Sequence, residues 1–273
     1  MILYYIAIMI VISTLPAYLI IKYMINKDPD AEPSQVLWNL FLGGVISCIP
    51  AAIIEMLFEV FFGSTESYAN NLLLLFISVF FGIAIVEEGC KFYYLKKRAY
   101  NVYSLSSVYD MVLYSACVAL GFASLENLLY LMEDISAAIP RAMLAVPSHA
   151  CDGILMGYYL GLAKVAQLKG STGKEKGYTI LSILVPTLMH AIYDFCLFSQ
   201  NDTFMYVFYT FVTIIFVYCI IKIKSLSQHD IAINTSNSIF RNIINNINKP
   251  KFCTNCGAPL NGPFCQNCGY KNY

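Results

Sequence analysis

Long apolar runs separated by short polar segments organise most of the chain. A hydrocarbon core about 30 Å thick needs about 20 apolar residues in a transmembrane helix. Seven runs are long enough and predict seven transmembrane helices, at residues 2–22, 35–61, 71–93, 109–132, 141–164, 178–198 and 203–222. The first run has no basic segment before it and no small-residue cleavage site after it. We therefore interpret it as a retained span and not as a signal peptide.

Composition agrees with a membrane protein. Of the 273 residues, 58% are hydrophobic and 12% are charged, whereas soluble domains have about 45–50% apolar and about 25% charged residues. These values exclude a soluble globular protein and a disordered chain. With 17 basic and 17 acidic residues the formal net charge is zero, so no nucleic-acid partner is expected. The predicted fold class is an all-α polytopic membrane protein in contact with lipid.

The distribution of basic residues predicts the orientation of the helices. If the N-terminus lies outside, the inner loops and the C-terminal tail hold sixteen of the seventeen basic residues, and Arg141 is the exception. The predicted outer loops, 63–70, 133–140 and 199–202, carry acidic residues or no charge. Because lysine and arginine concentrate in cytoplasmic loops, an N-out, C-in topology is predicted.

Four cysteines near the end of the chain form two Cys-x-x-Cys pairs, Cys253 with Cys256 and Cys265 with Cys268. Four thiolates at this spacing are typical of a closed structural zinc site. Two disulfides are the alternative, but the predicted topology places this tail in the reducing cytoplasm. Because the cysteines fill all four positions, the predicted zinc ion is structural and not catalytic.

These features predict three parts of the chain. A transmembrane domain occupies residues 1–224, a polar linker rich in asparagine and isoleucine occupies 225–251, and a zinc ribbon occupies 252–273. A ribbon at the inner face is a candidate docking module for a cytoplasmic partner.

Ionisable and polar residues lie inside four consecutive predicted spans, where charges are costly and mark a functional hypothesis. In chain order, spans three to six carry Glu87, Glu88 and Lys91; Glu126 and Asn127; His149 and Asp152; and His190 and Asp194. Their presence on neighbouring helices predicts one shared polar site between those helices.

Spacing within each helix indicates which of these side chains pair. Asp194 follows His190 by four residues, so its carboxylate can hold the imidazole in one tautomer. Asp152 follows His149 by three residues and could do the same. Lys91 lies one helical turn after the first glutamate of the third span and would neutralise the glutamate pair.

Two kinds of hydrolytic chemistry fit these side chains. His149, His190 and one of Glu87, Glu88 or Glu126 would supply the three protein ligands of a catalytic zinc site, and another glutamate would take a proton from water. In the alternative without metal, a glutamate and a histidine activate water, and the second histidine stabilises the oxyanion.

At these positions the sequence resembles the PrsW family of intramembrane proteases. Four motifs occur in the family's order over about residues 75–200: Glu87-Glu88-Gly89-Cys90-Lys91, Phe122-x-x-x-Glu126, His149 followed by Asp152-Gly153, and His190-x-x-x-Asp194. The family is similar to the CAAX prenyl endopeptidases, which usually present a histidine at the second motif. Glu126 at that position favours the PrsW branch.

The resemblance implies an endopeptidase in a bacterial cell membrane that cleaves a single-pass membrane protein, typically an anti-sigma factor. It leaves open whether the site is a metal site or a glutamate site. Two further interpretations remain: a catalytically silent scaffold or immunity-type protein, and a proton transporter that uses Glu87, Glu126 and Asp194 as a relay. Glu55 and Glu59, near the outer end of the second span, are interpreted as interfacial residues or as the lining of an entrance.

Overall fold

Helices make up nearly all of the regular structure in the residues that the computed structural model describes, 2–30 and 32–233. In chain order they are α1 (Ile2–Lys27), α2 (Ser34–Phe62), α3 (Leu72–Ser78), α4 (Ile85–Ala99), α5 (Val108–Glu133), α6 (Ala138–Pro140), α7 (Val146–Leu168), α8 (Thr172–Phe198) and α9 (Asp202–Gln228). The predicted zinc ribbon lies outside the described residues.

Six of the seven predicted spans coincide with helical stretches that are long and apolar enough to cross a membrane. These are Ala7–Lys27, Ser34–Phe62, Leu72–Ala99, Val108–Glu133, Thr172–Phe198 and Asp202–Gln228. The predicted span at 141–164 corresponds mainly to α7, which is 23 residues long but too polar to belong to this set. His149, Asp152 and three glycines lower its hydropathy, and most of its side chains are buried. The described part is therefore all-helical, with six candidate spans and not seven.

Helix α5 lies at the centre of the bundle, and most of its side chains are buried. Two glycines allow α2 to touch it. A Cβ atom at Gly44 would lie 1.9 Å from the Val118 carbonyl oxygen, and one at Gly121 would lie 2.0 Å from the Phe41 carbonyl oxygen. Small residues at such crossings let two backbones approach closely. This crossing therefore fixes the position of α5 against α2.

Helix α7 packs on another side of α5. A Cβ atom at Gly157 would lie 2.6 Å from the Met111 carbonyl oxygen, so this crossing is also a close one. As a result, the second half of α5 and the first half of α7 face each other. Those two halves carry Glu126 and His149, respectively.

A π-helical turn precedes two of the sequence motifs. One turn, Val79–Ala84, joins α3 to α4 just before the glutamate pair, and the other, Arg141–Ala145, leads into α7 before His149. A π-helical turn accommodates an additional residue and is frequent at functional sites. In both cases it changes the helical face on which the following motif lies.

The end of the described chain is hydrogen-bonded to the start of α5. Helix α9 continues to Gln228, and the Val108 amide then donates to the Ile231 carbonyl oxygen at 2.9 Å. The Ile233 amide donates to the Ser106 carbonyl oxygen at 2.7 Å. The helical unit thus extends to Ile233 and takes in the first part of the predicted linker.

Candidate active site

A cavity of about 730 Å³ brings the predicted site residues together. It is lined by side chains from α2, α4, α5, α7 and α8 and reaches Ser64–Glu66 and Gln200 at one end of the bundle. The predicted residues that line it are Glu87, Glu126, His149, Asp152, His190 and Asp194. Glu88, Lys91 and Asn127 are buried next to it. The prediction of one shared polar site between these helices therefore agrees with their placement.

Lys91 lies at the centre of the cluster and is only 1% exposed. Its ammonium nitrogen is 3.1 Å from Glu87 Oε2, 2.7 Å from Glu88 Oε1 and 3.1 Å from His149 Nδ1. The ammonium also lies 4.1 Å from the centre of the Phe122 ring, within the range of a cation–π contact. As predicted from the spacing, the lysine neutralises the glutamate pair, and it also links that pair to α7.

His190 is held through both of its ring nitrogens. Nδ1 lies 3.0 Å from Glu88 Oε1, and Nε2 lies 3.2 Å from Asp194 Oδ2. The predicted pairing of His190 with Asp194 is therefore present. It leaves Nδ1 directed at the glutamate pair, since Glu87 Oε2 is also within 3.9 Å of that nitrogen.

His149 has a different partner from the one that its sequence spacing suggests. Its Nε2 lies 2.8 Å from Glu126 Oε2 on α5, and its Nδ1 faces the ammonium of Lys91. The close packing of α5 against α7 brings Glu126 to this nitrogen, so the contact crosses helices. Asp152, the expected partner, is buried and lines the cavity.

Sequence reasoning did not assign Arg141 to the site, although the structure does. Its Nη2 lies 2.7 Å from Glu126 Oε1, its Nε lies 2.7 Å from Asn127 Oδ1, and its guanidinium lies 3.8 Å from the centre of the Tyr130 ring. One signal was available in the sequence, because Arg141 is the single exception to the predicted distribution of basic residues. Arg141 thus forms a partly buried ion pair with Glu126 and is not a loop charge.

The donor set fits a divalent cation. One ligand atom each from Glu87, Glu88, His149 and His190 lies within 4.8 Å of the others, and all four residues are buried. Among the described residues, Glu88 Oε2 is a buried oxygen with no hydrogen-bond partner. Both histidines hold a carboxylate at Nε2, as metal-ligating histidines commonly do.

The charge balance around the cluster also favours a bound cation. Two side chains with fixed positive charge, Lys91 and Arg141, face five carboxyl groups, those of Glu87, Glu88, Glu126, Asp152 and Asp194. The Lys91 ammonium contacts three of the four donor residues, and a cation bound at His149 Nδ1 would take over the single lone pair that now faces this ammonium.

Glu55 and Glu59 on α2 line the same cavity, which agrees with the entrance interpretation of these two residues. Glu55 Oε1 is shielded and has no hydrogen-bond partner in the described part of the chain. The four tail cysteines predicted to bind zinc lie beyond the described residues.

Comparison with known proteins places the chain in a family. A family model described as PrsW family intramembrane metalloprotease matches residues 32–220. Protease PrsW of Oceanobacillus iheyensis is 32% identical over 217 residues, which cover 79% of this chain and 94% of the relative. Protease PrsW of Bacillus subtilis is 34% identical over 193 residues, which cover 70% of this chain and 83% of the relative.

Protease PrsW of Clostridioides difficile is 28% identical over 206 residues, which cover 72% of this chain and 82% of the relative. No solved structure matches the chain. The relatives are bacterial and are named proteases, which favours an enzyme over a scaffold or a transporter. The chain belongs to the PrsW family of intramembrane proteases.

Proposed function

We propose that this membrane-embedded protease hydrolyses a peptide bond of a single-pass membrane protein, such as an anti-sigma factor, and that a bound metal assists the reaction. The hydrolytic centre consists of Glu87, Glu88, His149 and His190. One observation carries the proposal: four buried ligand residues converge to within 4.8 Å while both histidines are held by carboxylates at their other nitrogen.

The metal would be held by Nδ1 of His149, Nδ1 of His190 and the Glu88 carboxylate. His190 Nδ1 faces Glu88, His149 Nδ1 faces the Lys91 ammonium that contacts both glutamates, and Glu88 offers its unpartnered oxygen. When bound, a zinc ion supplies Lewis-acid polarisation and lowers the pKa of a water molecule. The Glu126 carboxylate at Nε2 keeps His149 in the tautomer whose Nδ1 carries the lone pair. His190 faces a carboxylate at each ring nitrogen, so a metal bound at its Nδ1 would take the place of the proton shared with Glu88.

Glu87 is the general base of the proposed reaction. It lines the cavity, whereas Glu88 is fully buried and does not. Glu87 takes a proton from water as the water oxygen attacks the carbonyl carbon of the scissile bond. The same proton then goes to the leaving amine as the carbon–nitrogen bond breaks. Lys91 stays next to Glu87 and limits the change in net charge during the transfer.

The shape of the cavity supports a substrate that enters as an extended segment. A helical span has its backbone hydrogen bonds satisfied internally, so a scissile bond within it is shielded until the helix unwinds. The cavity supplies polar groups at the site and reaches Ser64–Glu66 and Gln200 at one end of the bundle. A juxtamembrane segment of a single-span protein can therefore reach Glu87 from that end.

We further propose an N-out, C-in topology, which places residues 63–70 and 199–202 outside the cell. The basic residues support it, and cleavage then occurs towards the outer side of the membrane. Under the same topology the four tail cysteines would bind zinc on the cytoplasmic side. Zinc there is structural and adds a second ion to the one at the hydrolytic centre.

Two measurements on the full-length chain test this function. The first is cleavage of a single-span substrate in proteoliposomes, with mass spectrometry of the products. The second is zinc content of a variant with Cys253, Cys256, Cys265 and Cys268 all changed to serine. We expect this four-serine variant to bind about one zinc per chain. Adding His149→Ala or His190→Ala to it should abolish zinc binding.

The outcomes separate the alternatives. Cleavage that persists without zinc and in the presence of a chelator would replace the metal proposal with a glutamate mechanism. Equal cleavage by the wild type and by His190→Ala would overturn the proposed site itself.

A further inference from the structure

We propose that Arg141 is a positioning residue of the hydrolytic centre, which acts through Glu126 to fix the orientation and tautomer of His149. This inference rests on the proposed function, because it concerns the same site. Glu126 uses its two oxygens for two different partners. Oε1 accepts from Arg141 Nη2 at 2.7 Å, and Oε2 lies 2.8 Å from His149 Nε2.

The direction of the effect follows from hydrogen-bond chemistry. An ionised carboxylate only accepts hydrogen bonds, so the Nε2 that faces it must carry the proton. A neutral His149 then has its lone pair on Nδ1, the nitrogen that faces the Lys91 ammonium at 3.1 Å. Arg141 holds the Glu126 carboxylate in place, because its Nη2 donates to Oε1 and leaves Oε2 to face His149 Nε2.

Arg141 is itself held in a way that lysine would not reproduce. Its Nε donates to Asn127 Oδ1 at 2.7 Å while Nη2 donates to Glu126, and its flat face lies over the Tyr130 ring. These three partners are all on α5. A planar guanidinium can bind two acceptors and stack on a ring at once, whereas an ammonium has no such fork.

The position of Arg141 in the chain strengthens the argument. It begins the π-helical turn Arg141–Ala145, which leads directly into α7 and to His149. The Arg141 side chain therefore connects the start of this helical stretch to α5. The Glu126–His149 contact connects the first turn of α7 to the same helix. The Arg141 side chain is 19% exposed, so most of it is withdrawn from solvent and lipid.

The test uses the full-length protein and two readouts. The first is steady-state cleavage of one single-span substrate by Arg141→Met, Arg141→Lys, Glu126→Gln and the double variant Arg141→Met/Glu126→Gln. Arg98→Met is the matched control, because Arg98 is exposed at the end of α4. The second is the ring ¹⁵N spectrum of His149 at one fixed pH, in protein labelled at its three histidines.

We expect kcat of Arg141→Met to fall by about 10- to 100-fold, as for other residues that orient ligands, with KM changed by less than about threefold. The double variant should be no slower than Glu126→Gln alone, because Arg141 acts through that residue. The His149 spectrum should show a proton on Nε2 in the wild type and a changed pattern in Arg141→Met, and Arg98→Met should match the wild type.

Three results would overturn the inference: an unchanged His149 spectrum in Arg141→Met, an effect on KM alone, which would indicate substrate binding, or effects that multiply in the double variant. If Arg141→Met does not fold, Arg141→Lys carries the same test, since it keeps the charge and lacks the fork. The spectrum needs no cleavage. A protein that cleaves no single-span substrate would therefore contradict the proposed function and still leave the role of Arg141 measurable.

Discussion

Two buried polar clusters in this protein satisfy their charges in different ways. The capping cluster, formed by Ser106, Ser107 and Asp110, closes the first turn of α5. Asp110 Oδ2 accepts from the Ser106 amide at 2.7 Å and from its hydroxyl at 2.9 Å, and the Ser107 hydroxyl caps the Asp110 amide. All of these contacts join residues within four positions of one another, and they complete a helix terminus.

The proposed hydrolytic centre of Glu87, Glu88, His149 and His190, together with Lys91, depends on contacts between distant parts of the chain. Glu88 meets a histidine 102 residues away, and Lys91 meets one 58 residues away. The cavity reaches this cluster, whereas Asp110 of the capping cluster does not line the cavity. Burial of a charge therefore does not distinguish a site from a structural cap. A functional site is distinguished by contacts from several helices together with access to a cavity.

The largest expected effect is that of Glu87→Gln. Loss of the proposed base should slow cleavage by about 1,000-fold, while the amide oxygen can still accept from Lys91 and preserve the fold. Cleavage kinetics and thermal unfolding in detergent check this prediction. Glu133→Gln, at the exposed end of α5, is the control. A Glu87→Gln protein that keeps more than about a tenth of the wild-type rate would refute the assigned role.

Lys91→Met should mainly reduce stability. Removing the ammonium leaves two buried glutamates without their charged partner, which costs about 3 kcal/mol in the free energy of unfolding. Added zinc should restore part of that loss, because the same donors would bind the cation. Unfolding of Lys91→Met with and without zinc tests this, beside the exposed Lys96→Met. Equal stability of both variants would argue against a charge-balancing role.

Asp110→Ala should show that the capping cluster contributes to stability and not to cleavage. Loss of the capping box is expected to lower the free energy of unfolding by about 2 kcal/mol, with cleavage per folded molecule unchanged. Thermal unfolding and active-fraction kinetics measure the two quantities. If cleavage falls while stability stays constant, the capping cluster would have to be part of the active site.

The smallest expected effect concerns Asp28, in the segment between α1 and α2. Burial raises the pKa of its carboxyl group from 3.8 to about 8, and nearby acidic groups add to the shift. The folded state therefore holds this proton more tightly than the unfolded state, and stability is lost as the pH rises from about 4 towards 8. Because the Asp28 side chain is partly exposed, solvent screening leaves only a small part of this shift as stability. Asp28→Asn should therefore raise the unfolding temperature at pH 8 by less than about 4 °C, but not at pH 4. An equal difference at both pH values would contradict this.

The sequence predicts the helices well where hydropathy alone decides them. Six spans are recognised because each contains a long apolar run, which in α5 is buried among other helices. Helix α7 differs because His149, Asp152 and three glycines lower the hydropathy of its sequence. Two helices also extend beyond the predicted spans: α4 continues past residue 93 to Ala99, and α8 begins before residue 178, at Thr172. Polar residues at those ends extend the helices beyond the apolar runs.

The site is predictable to the level of its residues but not of its contacts. Pairing of His190 with Asp194 follows from their spacing, because both lie on one face of one helix. The partner of His149 is Glu126, and this choice depends on how closely α5 approaches α7. Arg141 was missed for the same reason. Its partners lie on another helix, and sequence spacing carries no information about that crossing.

The most direct test of the central claim is the cleavage rate of one single-span substrate in proteoliposomes, measured side by side for His190→Ala and Asp110→Ala at equal folded amounts. The account predicts a loss of about 1,000-fold for His190→Ala and the wild-type rate for Asp110→Ala. Wild-type cleavage by His190→Ala, or loss of cleavage in both variants alike, would contradict the assignment of Glu87, Glu88, His149 and His190 as the hydrolytic centre.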